Sequence, residues 1–488
     1  MSAESLLLTV LLLPLAGAIG IVLTRRTPNL REGVTLVTAA IIAVLVVWIA
    51  ARFMAGEVFA LTVMEPLPGI SIAFELEALG VLFALVAGLL WIVTSVYAIG
   101  YMRGHHEQNQ TRFFAAFAVS IAATLGIAFS ANLFTLFLFY ELLTLATYPL
   151  VTHAGTAEAK RGGRVYLGIL LGTSIGFFLL GILATWVITG SIDFEQGGIL
   201  SGHIDPAWAG LLYALFLFGI GKAALMPFHR WLPAAMVAPT PVSALLHAVA
   251  VVKAGVFTLL KVTLYIFGGE FVLANDVTGG LIWVAAATIL IASLVAMTKD
   301  NLKARLAYST VSQLSYIALG AMLASKAGLL GASMHIVMHA FAKITLFFAA
   351  GAIMVASHKK LVSELDGLGR AMPVTFAAFL IGTLSIIGLP PFGGMWSKWF
   401  LGLGAVETGQ LLLLGVLMAS SLLNILYLLP IPVRAFFSRP ANGQHYTQIA
   451  EAPTPMLLAM VITSGSCLIL FFYPDPFYRL ASLAVGGT

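Results

Sequence analysis

Residues 219–236 read GIGKAALMPFHRWLPAAM, and they place Lys222 and a Pro-Phe pair in the middle of a long apolar run. A proline inside a helix removes a backbone hydrogen bond and clashes with the preceding turn, so we expect this helix to break. Residues 385–404 read SIIGLPPFGGMWSKWFLGLG and repeat the arrangement, with Lys398 after the Pro-Phe pair. In each stretch a tryptophan follows the phenylalanine within four residues, which indicates that the two stretches are related.

The residues around these two stretches indicate a chain that is embedded in lipid. Apolar residues make up 60% of the 488 positions and charged residues only 9%, too few for a soluble surface of this size. The fold class is therefore an all-α polytopic membrane protein, because a span needs about 20 apolar residues and the chain has room for many. We predict about fourteen transmembrane helices, at 5–23, 33–51, 78–100, 113–130, 132–152, 165–189, 208–237, 241–267, 277–298, 302–325, 328–356, 372–404, 408–433 and 454–474.

The two broken helices, the seventh and the twelfth, predict an internal repeat. They are five spans apart, an odd number, so they run in opposite directions, as in transporters built from inverted repeats. We expect one membrane domain over 1–488, with two inverted five-helix repeats. Its parts are N-terminal helices at 1–112, a first repeat at 113–267, a second at 277–435 and a last helix at 454–474.

The distribution of basic residues predicts the orientation. Of the 25 lysines and arginines, only Arg52, Lys326 and Arg479 fall in one set of alternate loops, whereas seventeen fall in the opposite set. Basic loops stay in the cytoplasm, so we expect both termini to face outward and the first span to be retained rather than cleaved as a signal peptide. This orientation explains the positive charge without nucleic acid as a partner. The one cysteine, Cys467, excludes disulfides and argues against cysteine metal clusters.

A few charged residues lie inside the predicted spans, and function should be sought there. Each charge at the bilayer centre costs about 2.5–3.5 kcal/mol even on a lenient scale. Lys261 is close enough to its helix end for the side chain to reach the surface, so we leave it out of the candidate path. The buried charges are Glu141, Lys222, Lys253, Lys261, Lys343 and Lys398.

Histidines add to this set in the eleventh span. His335, His339 and Lys343 are spaced by four residues and share one helix face, a stripe that is typical of a polar path. Two histidines at this spacing could hold zinc, but no obvious third ligand exists, so we predict no metal site. His247 lies six residues before Lys253 and off its face, and it either serves a neighbouring branch or packs.

A proton relay is the mechanism that these groups suggest. We expect Glu141 to pair with Lys222 and, when that pair breaks, to let a proton pass to Lys253. The path then continues to His339 or Lys343 and on to the second broken helix. Hard cations prefer clustered oxygens, and one buried carboxylate is a poor Na⁺ site. Protons are therefore the expected passenger, with Na⁺ crossing elsewhere in a larger assembly.

Five stretches carry a specific pattern: the helix around Glu141, KAALMPFHRWLPAAMVAPTPVSALLHAVAVVKAG (222–255), KARLAYSTVSQLSYIALG (303–320), HAFAKITLFFAAG (339–351) and LPPFGGMWSKW (389–399). Together they resemble a known family, the antiporter-like subunits of respiratory complex I, membrane-bound hydrogenases and Mrp-type cation/proton antiporters. The resemblance covers nearly the whole chain and implies fourteen helices with two inverted five-helix repeats. It also implies that Glu141 and Lys222 are the proton-handling pair, Lys253 the central lysine, Lys398 the terminal charge and His339 the histidine of the eleventh helix.

Within this family the chain looks most like the D-type member of an Mrp-type Na⁺/H⁺ antiporter, because it combines Lys398 with the LLHA pattern around His247 and ends after its fourteenth span. That resemblance implies a proton-translocating subunit of a multi-subunit Na⁺/H⁺ antiporter in the bacterial inner membrane. The alternative is a proton-pumping subunit of NADH:quinone oxidoreductase or of a membrane hydrogenase. In both cases we expect an ion-transporting subunit without its own cofactor, surrounded by other membrane subunits and lipid, rather than a redox enzyme.

Overall fold

The computed structural model describes residues 1–440, 446 and 448–486. Eleven helices in these residues are long and apolar enough to cross a membrane, and three shorter apolar helices complete the predicted set. The first half contains α1 (Ala3–Leu23), α2 (Pro28–Met54), α3 (Ala78–Gly104), α4 (Gln110–Ala128), α5 (Leu133–Val151), α6 (Ala157–Thr189), α7 (Pro206–Gly219) and α8 (Thr240–Phe267). The second half contains α9 (Ile282–Thr298), α10 (Leu302–Leu323), α11 (Lys326–Ser357), α12 (Pro373–Ile387), α13 (Gly394–Glu407), α14 (Leu411–Phe437), α15 (Thr454–Phe472) and α16 (Asp475–Ala484).

The predicted all-helical membrane architecture is confirmed, with an apolar helix at the place of each predicted span. Both expected breaks are present. The helix α7 ends at Gly219 and gives way to short helical turns, while α12 ends at Ile387 and the chain resumes as α13 at Gly394. Each break contains one cis peptide bond before a proline. The boundaries of the two repeats, at 113–267 and 277–435, stay predictions.

Two helices form the centre of the bundle. The most apolar stretches of α8 and α11 are completely buried, whereas α1, α2, α14 and α15 leave more than half of theirs on the outside. A helix that is apolar all round is stable only when other helices or lipid surround it. The outer helices therefore supply the lipid-facing surface, and any charge within these buried stretches of α8 and α11 is held inside protein.

Three smaller elements were not predicted from the sequence. An antiparallel hairpin of β1 (Ala60–Leu67) and β2 (Ile70–Glu75) lies between α2 and α3, and its first strand is mostly exposed. A short helix, Gly269–Ala274, follows α8. The last described helix, α16, buries only four of its ten residues. None of these elements is long enough to cross a membrane, so they lack the long apolar runs from which the spans are predicted.

Candidate functional site

The centre of the bundle holds a direct contact between two titratable side chains. Lys253 on α8 and His339 on α11 are both almost completely buried, and Lys253 Nζ lies 2.6 Å from His339 Nδ1. Lys253 follows a π-helical turn, Leu245–Val249, which widens α8 one turn before the lysine. Such turns are frequent at functional sites because they change the direction of side chains. The sequence predicts that the path continues from Lys253 to His339 or to Lys343, and in the structure His339 is the residue that contacts Lys253.

The stripe on α11 extends this contact towards the second break. The rings of His335 and His339 are 5.7 Å apart between centroids. His335 Nδ1 lies 2.8 Å from the hydroxyl of Ser397, the residue before Lys398. The His335 ring also stacks on Tyr316 of α10 at 5.7 Å. The two histidines therefore connect the centre of the bundle with α13.

Lys253, His339 and His335 form a row that leads to α13, and Lys398 lies at that end of it. Its ammonium donates to the carbonyl of Ile387, which the break leaves without a helical partner, at 3.1 Å, and to the hydroxyl of Ser421 at 3.0 Å. Freed backbone groups at membrane depth are tolerated where protein groups or water satisfy them. Lys398 also lines a cavity of about 340 Å³ beside α14. The lysine of the second break is therefore both a structural partner of the broken backbone and accessible from a cavity.

Lys343 forms a branch next to this row. It lies one turn after His339 on α11, and its ammonium donates to the hydroxyl of Ser309 on α10 at 2.6 Å. Ser309 in turn accepts a hydrogen bond from Tyr427 of α14 at 2.9 Å. Lys343 thus shares the predicted face but leads into a network of hydroxyl groups rather than directly towards Lys398.

The first break holds Lys222 against α5. Its ammonium donates to the Tyr140 carbonyl at 2.8 Å and to the Thr144 hydroxyl at 2.6 Å, and it lies 3.2 Å from the centre of the Tyr140 ring. The backbone groups freed by the break are also satisfied. Tyr140 Oη accepts from the Lys222 amide at 3.1 Å, and Trp231 Nε1 donates to the Gly221 carbonyl at 2.9 Å.

Glu141 does not form the expected direct ion pair with Lys222. Within the described part of the chain, neither carboxylate oxygen of Glu141 has a hydrogen-bond partner, although both atoms are shielded from solvent. The carboxylate still acts on Lys222 through space. The reason for the difference is local, because the turn at Gly221–Ala223 points the lysine at the backbone of α5 instead. Both carboxylate oxygens therefore remain available as hydrogen-bond acceptors.

The first break and the central contact are joined by close packing. A Cβ added to Gly255 would lie 2.2 Å from the Ala223 amide nitrogen and 2.3 Å from the Lys222 carbonyl carbon. Only a glycine lets α8 approach the broken backbone this closely. Gly255 is two residues after Lys253, so the position of Lys222 and that of the central lysine depend on the same contact.

His247 is buried beside the central group but contacts no polar atom in the described residues. Its ring packs on Phe347 at 4.5 Å between centroids, and both ring nitrogens lack a hydrogen-bond partner there. The geometry therefore leaves both sequence interpretations open, a side branch or packing. The described residues also contain no group of three or more His, Cys, Asp or Glu side chains that could hold a metal ion.

The prediction that the Lys261 side chain reaches the surface is wrong. Its side chain is fully buried instead of reaching the surface, and its ammonium lies 2.6 Å from the Glu77 carboxylate and 2.6 Å from the Ser130 carbonyl oxygen. The partner, Glu77, immediately precedes α3 and lies just outside the predicted span at 78–100. An acid directly before an apolar run was the available signal, but sequence alone does not show which lysine it meets.

Comparison with known proteins identifies relatives over most of the chain. The family described as NADH:quinone oxidoreductase/Mrp antiporter, transmembrane, matches residues 130–424. Subunit N of NADH-quinone oxidoreductase from Desulforudis audaxviator is 32% identical over 458 residues, which cover 92% of this chain and 89% of that protein. Chain 5 of NAD(P)H-quinone oxidoreductase from Synechocystis is 35% identical, but the match covers 67% of this chain and only 50% of that relative.

Two solved structures share the fold. A chain of the Mrp complex from a Dietzia species superposes with a TM-score of 0.87 at 23% identity, covering 100% of this chain and 97% of that one. A chain of the membrane-bound sulfane sulfur reductase, an archaeal respiratory complex, gives a TM-score of 0.86 at 24% identity and covers 98% and 97% of the two chains. At these identities the similarity concerns the arrangement of the helices.

Proposed function

Because the chain belongs to the NADH:quinone oxidoreductase/Mrp antiporter transmembrane family, we propose that it carries protons through the membrane as one subunit of a larger assembly. The proposal rests above all on the contact between Lys253 and His339, in which two buried titratable groups face each other at 2.6 Å. A proton passes between such groups without either side chain leaving its place, since transfer requires heavy atoms at hydrogen-bond distance.

The path that we propose begins at the first break and ends at the second. Glu141 and Lys222 load a proton near α5, and Lys253 receives it across the contact at Gly255. His339 and His335 then pass it towards Lys398 and its cavity, while Lys343 and His247 serve side branches. The hydrogen-bond distances within this row support the order, and the gaps between Lys222 and Lys253 and between the two histidine rings are where rearrangement or water is needed.

For the assembly we favour a multi-subunit Na⁺/H⁺ antiporter. Lys398 together with the LLHA pattern at His247 supports this choice. No cluster of carboxylates accompanies Glu141 in the predicted spans, so we assign H⁺ to this chain and Na⁺ to another subunit. The chain then lies in a bacterial inner membrane with both termini outside, as the asymmetry of the basic loops predicts.

A second assembly is supported by the comparison with subunit N, which is 32% identical over most of both chains. In that case the chain is a proton-pumping, non-redox subunit of an NADH:quinone oxidoreductase or of a hydrogenase. Purifying the intact complex from its source distinguishes the two. Na⁺-dependent proton flux without NADH dehydrogenase or hydrogenase activity supports the antiporter, whereas either redox activity assigns the chain to the second assembly.

Replacing the central lysine tests the proposed function itself. In Lys253→Met the side chain keeps its length and loses its proton, and we expect proton flux through the intact complex to fall at least about 100-fold, the lower range for loss of a positioned proton-transfer group. Lys326→Met is the matched control, because Lys326 is exposed at the start of α11. Flux in everted membrane vesicles that stays at the wild-type rate in Lys253→Met would exclude a proton path through this chain.

A further inference from the structure

A cavity of about 520 Å³ opens at the end of the bundle where the termini lie. The loop after α2, the end of β2, the start of α3 and the loop before α5 form its walls, and the last turns of α8 form its floor. Charged groups concentrate here, since Glu57, Glu75, Glu77 and Lys261 all line the cavity. None of the groups proposed above for the proton path takes part in it.

The floor of the cavity is the buried ion pair of Lys261 and Glu77. The ammonium is completely inaccessible to solvent, whereas 17% of the Glu77 side chain is exposed, so the acid stands between the lysine and the cavity. The ring of Phe194 covers the ammonium at 4.3 Å from its centroid. A buried pair of this kind contributes little to stability compared with an apolar pair of equal volume, so stability alone does not account for it.

Lys261 is also connected with the central site through its helix. It lies eight residues after Lys253 on the same uninterrupted stretch of α8, Val251–Val262, which corresponds to a rise of about 12 Å. Thr258 lies between them, one turn before Lys261, and its buried hydroxyl has no hydrogen-bond partner among the described residues. A hydroxyl can donate and accept at once, so it suits a position between two proton-carrying groups.

We propose that Lys261 and Glu77 form a port that connects the central Lys253 with the cavity on the outer side of the membrane. The inference rests on the proposed proton transport and adds a second exit to it. The Lys261 ammonium gives its proton to the Glu77 carboxylate, and the resulting carboxylic acid releases it into the cavity. The neutral Lys261 amine then takes its next proton from the direction of Thr258 and Lys253. Reversing each step describes uptake from the outer side.

The surroundings of Glu77 suit an acid that gains and loses a proton. Burial raises the pKa of Glu77, the neighbouring Lys261 and a hydrogen bond from Tyr265 oppose this rise, and the charge of Glu75 adds to it. Glu57 at the cavity wall is paired with Arg52 and is therefore less available. Glu77 is the one acid of the cavity that contacts Lys261 directly in the described residues.

Neutralising the pair tests the port in the intact complex. We expect Lys261→Met, Glu77→Gln and the double variant each to lower proton flux at least tenfold, with Lys253→Met as reference and Glu270→Gln as control. Glu270 is an exposed acid on the short helix after α8, outside the cavity. Recovery of flux in the double variant would show that the pair only stabilises the fold and would overturn the proposal. Wild-type flux in the single variants would also overturn it, whereas wild-type flux in Lys253→Met would instead refute the proposed function.

Labelling provides a second test that does not depend on breaking the ion pair. In a Cys467→Ser background, Ala131→Cys places a thiol in the cavity wall, and Glu270→Cys places one outside it. We expect a charged, membrane-impermeant thiol reagent added from the outer side to modify both. Flux should fall at least fivefold only when Cys replaces Ala131. A thiol at position 131 that is not modified, or that is modified without loss of flux, would overturn the proposal.

Discussion

The contact between α8 and the first break predicts that one methyl group will interrupt transport without changing any titratable residue. In Gly255→Ala the new Cβ would lie 2.2 Å from the Ala223 nitrogen, whereas ordinary contacts begin at 3.4 Å. The helix and the break must therefore separate by about 1.2 Å, the difference between these two distances. A displacement of about 1 Å at a reacting group costs on the order of 100-fold in rate, so we expect proton flux to fall by roughly that factor.

The stability of this variant should change much less than its activity. Overpacking a core costs about 1–3 kcal/mol, while alanine gains about 1 kcal/mol over glycine within a helix, so the complex should still assemble. Proton flux in everted vesicles, normalised to the amount of assembled complex, is the measurement. Gly172→Ala and Gly415→Ala are matched controls, because an added Cβ meets no atom within 4 Å at either position. Wild-type flux in Gly255→Ala would refute the coupling between Lys222 and Lys253 through this contact.

Two further substitutions test groups next to the lysines. In Tyr140→Phe the ring that covers Lys222 remains, but the hydroxyl that accepts its amide hydrogen bond is lost. Such a bond contributes about 0.5–1.5 kcal/mol, so a 2- to 10-fold loss of flux is expected, and an unchanged rate would show that the break needs no support from α5. In Ser309→Ala the nearest hydroxyl partner of Lys343 is removed, and flux should fall up to about tenfold by the same estimate, while Ser309→Thr should retain it. Equal loss in both variants would attribute the effect to packing rather than to the hydroxyl.

The sequence predicts the spans and the breaks well because both depend on local chemistry. Apolar runs of spanning length become helices in lipid, because the bilayer core offers no hydrogen-bond partners and a helix satisfies its backbone groups internally. The prolines at 227 and 390–391 interrupt two of them for reasons that act within one turn. The same local argument placed His335, His339 and Lys343 on one face of α11, and the structure has all three buried there.

Contacts between helices could not be predicted in this way, because they depend on the rotation and depth of each helix. The helical turn at the first break rotates Lys222 towards the α5 backbone and away from Glu141, which no periodicity reveals. Lys261 lies near a helix end, yet the hairpin and the start of α3 close over it and supply Glu77. The distance of Lys261 from its helix end therefore underestimates its burial, because another segment of the chain covers that end.

The distribution of counter-charges suggests how the row of lysines operates. The ammonium groups of Lys253, Lys343 and Lys398 contact neutral partners only, within the residues described: an imidazole, hydroxyl groups and backbone carbonyl oxygens. A charge on any of these three ammonium groups is costly, and a second charge nearby adds repulsion, so two charged lysines among them at once are disfavoured.

Lys222 and Lys261 differ from these three lysines, because each has an acid near it. Glu141 acts on Lys222 through space, and Glu77 contacts Lys261 directly. On the proposed path an acid therefore favours the charged form of Lys222 and of Lys261, and the three lysines without an acid pass protons one at a time. In this proposal a proton on one of the three lysines disfavours a second proton on its neighbours, and the repulsion favours onward release. On this basis a carboxylate introduced beside Lys253 should trap the charge and slow transport, even though it adds a titratable group to the path.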